Sequence, residues 1–367
     1  MPDIAAMLGR GMERVARPRL HFTPRAGQVG DLFGVLAADG RYQLFYEHLS
    51  GQEPAWGYAV SDDLILWTEQ AVAAPPAGPG SARCGAVVAG PDGPVLFHTR
   101  DGGEVARAVA VPGITGWRQD PAGPLIATPP SGVSEMRDPY VWWAGSGWRM
   151  LLGATMRGGA AAVLQYHSAD LLHWAYDGVI VSREQAGWSC PRLFPLDGAW
   201  VLLVSSGDEV AYAVGGYDGL HFTPRAWGAF GRGRLGPTVT FVDAAGRRCA
   251  LARLGDAEAS PGSVWAGSLS LPWVLSVRED RLIATPHPNL DPYLISGASG
   301  LTAAGGEVRD HGELILTMPA GGETVLFADA DIVEVAVEGV SGLGVARRTG
   351  PTAPGVRFAR FGTAPGE

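Results

Sequence analysis

Hydrophobic and polar residues alternate over short stretches along most of this chain, and apolar positions rarely recur at helical spacing. The exception is the start. Ile4, Met7, Leu8, Met12 and Val15 fall roughly on one helical face, which predicts a short amphipathic helix within residues 1–18, stopped near Pro18. Beyond it, apolar or alternating runs recur at 42–46, 57–60, 86–88, 95–98, 105–109, 141–143, 149–152, 162–166, 200–204 and 210–214. Asp39-Gly40, Asp92-Gly93 and Asp197-Gly198 fall between such runs and read as hairpin turns.

One unit repeats. Ser61-Asp62-Asp63-Leu64-Ile65-Leu66-Trp67 returns as Ser168-Ala169-Asp170-Leu171-Leu172-His173-Trp174, each copy after an alternating strand. Tyr217-Asp218-Gly219-Leu220-His221-Phe222 is a weaker echo. Several strands and an aromatic-capped turn in a unit of about 40–50 residues mark the blades of a propeller. Hairpin signals between residues 19 and 275 amount to about five such blades. Trp67 and Trp174 then fill the space between sheets. Beyond residue 293 the chain is β-rich again, at 313–316, 323–327, 332–335 and 344–347, and suits a small antiparallel sandwich. The expected fold is all-β: an N-terminal extension over 1–18, a five-bladed β-propeller over 19–292 and a small, truncated β-sandwich over 293–367.

Composition agrees with this. Of 367 residues 46% are apolar and 18% charged, which suits a well-buried globular protein. The 53 glycines and 28 prolines have no collagen-like period and suit many short strands joined by tight turns. The formal charge is −9 and basic residues cluster no further than Arg247-Arg248 and Arg347-Arg348, which argues against a nucleic-acid partner. No apolar stretch is long enough to span a bilayer, and the run at 4–8 is too short for a signal sequence. Cys84, Cys190 and Cys249 lack metal or disulfide spacing. The expectation is a cytoplasmic protein with buried thiols, a small-molecule substrate, no membrane partner, and no cofactor or metal. The sequence sets no oligomeric state.

Three stretches carry the candidate chemistry. Asp31 lies between glycines at the mouth of a hairpin, a position that also suits a simple turn cap. Asp138 is held extended by Pro139 and preceded by Arg137, which suits steering a carboxylate or a hydroxyl. Trp188-Ser189-Cys190-Pro191 is the third. In a propeller the innermost strand of each blade lines the central cavity, so residues opening those strands converge on one pocket.

Together these stretches resemble glycoside hydrolase family 32, the invertase, levanase and inulinase group. The resemblance runs over nearly the whole chain from Arg17. It rests on 21–34, Leu44-Phe45-Tyr46, Trp56-Gly57 with 61–67, Arg137-Asp138-Pro139, Cys190-Pro191 with Leu193-Phe194-Pro195, and 215–222, 265–272 and 325–335. It implies a five-bladed propeller joined to a β-sandwich, with Asp31 at the nucleophile position and Asp138 at the hydroxyl-binding position.

The departures cluster in the pocket. Ser189 stands where the family pattern Glu-Cys-Pro has its acid/base Glu. Gly30-Asp31-Leu32-Phe33-Gly34 replaces Asn-Asp-Pro-Asn-Gly, and Gln28 replaces a Trp. Glu47 replaces a Gln, Gly236 and Val239 replace a Tyr and a Gln, and the sandwich is about half the usual length. Retaining hydrolysis needs two carboxyl groups about 5–5.5 Å apart, one attacking and one protonating the leaving oxygen. A serine hydroxyl cannot be that acid, and its loss costs roughly 10²–10⁴ in rate. Glu47, His48, His98, Glu135, Asp208 and Glu209 are candidate replacement acids, each of which also suits a turn or solvated role.

Asp31 and Asp138 are therefore the expected catalytic pair, with Ser189 at the acid/base position. Gln28, Phe33, Glu47, His48, Trp56, Arg137 and Trp188 are the expected substrate contacts. Two facing carboxylates should raise one pKa, with Asp138 donating a proton while Asp31 stays ionised. Leu32, Phe33 and Val239 suggest a pocket for something less hydrophilic than fructose. The expected function is a divergent glycoside-hydrolase-like enzyme for a small oxygenated, furanose-like or secondary-metabolite substrate, performing a cyclisation, elimination or isomerisation. An altered furanosidase and a non-catalytic sugar- or metabolite-binding module are the alternatives.

Overall fold

The alternating runs pair into antiparallel strands, and two of the three turn dipeptides close hairpins as expected. Ala38 pairs with Arg41 across Asp39-Gly40, and Leu196 with Ala199 across Asp197-Gly198. All four turn residues have positive φ, the geometry that matches the right-handed twist of the flanking strands. The third turn is shifted by one residue: Gly90 pairs with Gly93, so Pro91-Asp92 forms the loop.

The computed structural model describes residues 16–50, 53–70, 83–100, 102–114, 116–120, 123–207, 209–255, 264–297, 300–350 and 355–362. The helix expected within 1–18 falls almost wholly outside them. Among the described residues, five sheets of four principal strands follow one another along the chain. Blade I is Gly27–Ala38, Arg41–Ser50, Glu53–Ser61 and Thr68–Glu69; blade II is Arg83–Gly90, Gly93–Thr99, Val105–Ala110 and Trp117–Gln119. Blade III is Val133–Trp143, Trp148–Met156, Ala161–Ser168 and Ala175–Arg183; blade IV is Ser189–Leu196, Ala199–Ser206, Glu209–Tyr217 and Phe222–Ala229. Blade V is Leu235–Val242, Arg248–Leu254, Trp273–Arg278 and Arg281–Pro286. A six-stranded and a three-stranded sheet form the small sandwich. Two short strands cross between these units. Gly231–Gly233 pairs in parallel with Leu343–Arg347 of the sandwich, and Trp265–Ala266 pairs in parallel with the start of blade I. No helix among the described residues is long and apolar enough to cross a membrane.

The core follows from the alternation. Each strand buries one face against the blade before it and the other against the blade after it. Separate apolar clusters accordingly fill the gaps between blades I and II, II and III, III and IV, and V and I. The gap between IV and V runs on into the sandwich through Phe327, Ile332 and Leu343. Trp67 and Trp174 pack against these clusters as expected. The repeated turn is built identically in both copies: Asp63 Oδ1 accepts from Ile65 and Leu66 N–H, and Asp170 Oδ1 from Leu172 and His173 N–H.

All five inner strands break register at the same level. The slips lie between Val29 and Leu32, Arg83 and Gly85, Ser189 and Arg192, and Leu235 and Thr238, and in blade III opposite Arg137 and Tyr140. Pro139, Pro191 and Pro237 cannot donate to a ladder, so a bulge is the natural outcome there. Asp138, expected to be extended before Pro139, and Cys190 instead adopt φ of 60° and 46° within their bulges. A bulge re-aims the side chain beside it, and here it turns strand residues toward the propeller axis.

The sandwich is fastened by a buried ionic cluster. Asp329 accepts from the backbone N–H of Arg19, Leu20 and His21 and from His21 Nδ1 at 2.9 Å. Glu334 accepts from His21 Nε2 at 2.8 Å, Leu271 N at 2.8 Å and Trp273 Nε1 at 2.6 Å. Burial alone would lower the His21 pKa, but the two carboxylates prevail and raise it to about 9, while His21 helps hold Asp329 near 2 against its own burial.

Candidate active site

The bulges bring three predicted residues to one place. Asp138 is buried, its N–H donates to Thr99 Oγ1 at 2.9 Å, and its Oδ2 accepts from Cys190 N at 3.1 Å. Blades II, III and IV thus meet at Asp138, blade II through its backbone N–H and blade IV through its carboxylate. Burial, and then the negative charge of Asp31, raise its pKa to about 6. Ser189 is half-buried next door, with its hydroxyl donating to Ser205 O at 3.2 Å.

Asp31, a quarter exposed, reaches Arg253 from the second strand of blade V, with Oδ1 and Nε 2.9 Å apart. The two atoms lie out of line for a hydrogen bond, so the contact is one of charge. Glu47 is buried beside the same segment, where its Oε2 accepts weakly from Asp31 N at 3.4 Å.

These neighbours explain two substitutions. A Cβ on Gly30 would lie 2.3 Å from Glu47 Oε2, so the carboxyl of Glu47 fills the space that a side chain at 30 would take. A Cβ on Gly236 would lie 2.9 Å from Arg253 O, so the close approach of that backbone carbonyl leaves no room for a side chain at 236.

Several expected contacts are corrected by the geometry. Phe33 and Trp56 are 2% and 1% exposed and pack edge to face in the gap between blades I and II, with Trp117 as a further neighbour. Trp188 is wholly buried and stacks on Trp227 between blades III and IV. All three are packing residues, not substrate contacts. Leu32 and Val239 are also buried between blades. These two therefore do not supply the apolar lining expected of the site. His48 Nε2 is engaged with Ala26 O at 2.7 Å, which ties it to the strand start. His98 is buried against Trp56, and burial followed by the charge of Arg100 lowers its pKa to about 4.

Gln28 is half-buried at the beginning of blade I's inner strand. Arg137 stands at the rim and pairs with Glu135 at 3.0 Å, its charge also acting on Asp138. Glu209 is exposed at the start of the third strand of blade IV, and Asp208 lies outside the described residues.

Arg253 and Arg192 were absent from the sequence-based site. Arg192 is buried, with Nη1 on Pro191 O, Nη2 on Gly85 O and its guanidinium over Tyr140. The available signal was an arginine flanked by apolar residues inside each of two strands, Arg192 in Ser189–Leu196 and Arg253 in Arg248–Leu254. A third cluster, Asp243, Cys249 and His287, places buried donor atoms within 4.8 Å of one another. Arg247 Nε contacts Asp243 Oδ2 at 2.7 Å and His287 Nε2 contacts the same oxygen at 3.1 Å. With an arginine already supplying the positive charge, the cluster does not fit a metal ion.

A five-bladed propeller beside a small sandwich, with acidic side chains gathered at the axial ends of the inner strands, defines a glycoside-hydrolase type of scaffold. The chain belongs to glycosyl hydrolases family 32: the model of that family's N-terminal domain matches residues 21–286. It is 32% identical to a levanase of Bacillus subtilis (strain 168) over 244 residues, covering 56% of this chain and 35% of the levanase. It is 30% identical over 207 residues to a sucrose-6-phosphate hydrolase of Escherichia coli, covering 51% of this chain and 43% of that protein. The chain therefore spans less than half the length of these relatives. Among solved structures, the Bombyx mori GH32 β-fructofuranosidase superposes with a TM-score of 0.77 at 20% identity, over 95% of this chain and 91% of that one. A family 32 glycoside hydrolase from Bifidobacterium adolescentis superposes with a TM-score of 0.76 at 18% identity, over 96% and 80%.

Proposed function

We propose that the axial site is the active site of a divergent, fructosidase-like enzyme for a compact, furanose-like substrate, and that ordinary fructan or sucrose hydrolysis is not its task. Asp31 is the nucleophile or base, and Asp138 the carboxyl that holds or donates a proton. The observation that carries this reading is the Asp138 carboxyl, buried, acted on by the charge of Asp31 and raised to about 6. Such a group exchanges a proton near neutrality. A buried carboxyl held beside a second carboxylate is also costly to keep without a use. Ser189, with its hydroxyl donating to Ser205 O, leaves a leaving group without its usual acid.

The test compares substrates that differ in their need for that acid. An aryl fructofuranoside, whose phenolate departs unprotonated, should be turned over, whereas sucrose and inulin should be at least 100-fold slower than with an ordinary family member, within the roughly 10²–10⁴ that acid catalysis supplies. Asp31→Asn should abolish aryl release. Ser189→Glu should raise sucrose hydrolysis from baseline. Sucrose turnover by the parent within tenfold of an ordinary invertase, or full aryl release by Asp31→Asn, would overturn the reading.

A further inference from the structure

The contact between Asp31 and Arg253 poses a problem for a nucleophile. A guanidinium 2.9 Å from its carboxylate draws on the electrons that would attack. A neutral furanose brings nothing to draw that guanidinium away. The surroundings also limit which cations can answer a charged ligand. Arg137 is paired with Glu135, and Arg192 is spent on two backbone carbonyls and the face of Tyr140. Arg253 differs. Its side chain makes no hydrogen bond among the described residues, its contact with Asp31 is misaligned, and it is a quarter exposed. A planar fork of N–H donors with one loosely held partner is suited to a second oxoanion in bidentate geometry.

We propose that Arg253 makes the axial site selective for a compact, sugar-like substrate bearing an oxoanion, a carboxylate or a phosphate ester, which takes the guanidinium fork and releases Asp31. The inference rests on the reading of this site as the active site. Arg253 is then a specificity-determining residue, and the anion of the substrate completes the catalytic arrangement. With Asp31, Glu47 and Asp138 close by, an anion unable to engage Arg253 would be repelled, so binding discriminates by position as well as charge.

The test is calorimetric titration of the full chain at low salt with D-fructose, D-fructose 6-phosphate and D-gluconate. At least one anionic ligand should bind the parent 10-fold or more tighter than fructose, phosphate or carboxylate preference identifying the source. Arg253→Met should remove that preference by roughly 10- to 100-fold, the range of a charge-assisted hydrogen bond. Arg253→Lys, which keeps the charge and the folded site but not the fork, should retain part of it. Asp31→Asn should strengthen anion binding by freeing the guanidinium, and Asp31→Asn with Arg253→Met should not, a coupling that general charge removal does not produce. Equal affinity for neutral and anionic ligands, or a preference that survives Arg253→Met, would overturn the inference. If fructose binds and Asp138→Asn weakens it while charge makes no difference, the inference falls and the proposed function stands. If none of the three binds and the aryl fructofuranoside is not turned over, both fall.

Discussion

Two buried groups of charges in this molecule look alike and are built on opposite terms. At the junction of propeller and sandwich, His21 lies between Asp329 and Glu334, and both carboxylates take further donors from the backbone or Trp273. At the propeller axis, Asp138 has a backbone donor but also feels the like charge of Asp31, while Asp31 and Arg253 are close but misaligned. In the first group every charge is answered by geometry. In the second, charges are left partly unanswered. The difference separates a staple from a site: satisfied ionic clusters hold elements together, whereas strained ones are retained where a ligand completes them.

The comparison predicts a large loss on one side. Removing His21 as His21→Ala leaves Asp329 and Glu334 buried without their cation, and should cost about 3–5 kcal/mol in urea unfolding. A loss below about 1 kcal/mol would show that the cluster is not a staple. The same cluster sets a pH dependence. The folded protein holds the His21 proton to about pH 9 against an ordinary 6.5, more tightly than the unfolded chain. Its stabilisation is therefore complete below the ordinary value and drains as pH rises through 9, by a ceiling of about 3 kcal/mol. His21→Ala should flatten that alkaline fall.

The axial site should respond in the other direction. Asp138 titrates near 6 instead of 3.8, so the fold holds its proton more tightly and loses stability as pH climbs between those values. Above them the penalty is constant. Asp138→Asn should remove it and stabilise the protein at pH 8 by up to about 3 kcal/mol, with little gain at pH 3.5 and with loss of turnover. A destabilised Asp138→Asn at pH 8 would place Asp138 with the staples. The smallest effect belongs to a site outside both groups. Asp170→Ala removes the bonds from two exposed backbone N–H groups together with those from Ser168 Oγ and His173 Nδ1, all at an exposed turn, and should cost about 1 kcal/mol at all pH values where the carboxylate is charged.

Much of the architecture can be read from the chain because alternation, turn dipeptides and the Ser-x-Asp-Leu repeat are local signals. Asp39-Gly40 and Asp197-Gly198 closed hairpins, and the two repeat copies folded alike, since each depends on residues a few positions apart. Asp138 beside Ser189-Cys190 was also accessible, because both stretches read as inner strands and the inner strands of a propeller line one cavity. The orientation of Phe33, Trp56 and Trp188 was not. Alternation says that two faces differ without saying which one meets the axis, and a bulge at the head of each inner strand shifts the count by one residue.

The sequence alone determined that strands would form, where most of them turn and that they group into repeating sheets; Asp31 and Asp138, expected to open inner strands, instead lie within them at the register breaks. Tertiary structure decided the company those aspartates keep. Arg253 comes from the last blade and meets Asp31 of the first only when the ring closes. Glu47 reaches Asp31 because Gly30 leaves it space, and His21 gains its charge from carboxylates near the far end of the chain. Local pattern follows from backbone geometry and side-chain periodicity, whereas the field at a carboxyl depends on every group that folding brings within a few ångströms, whatever its distance along the chain.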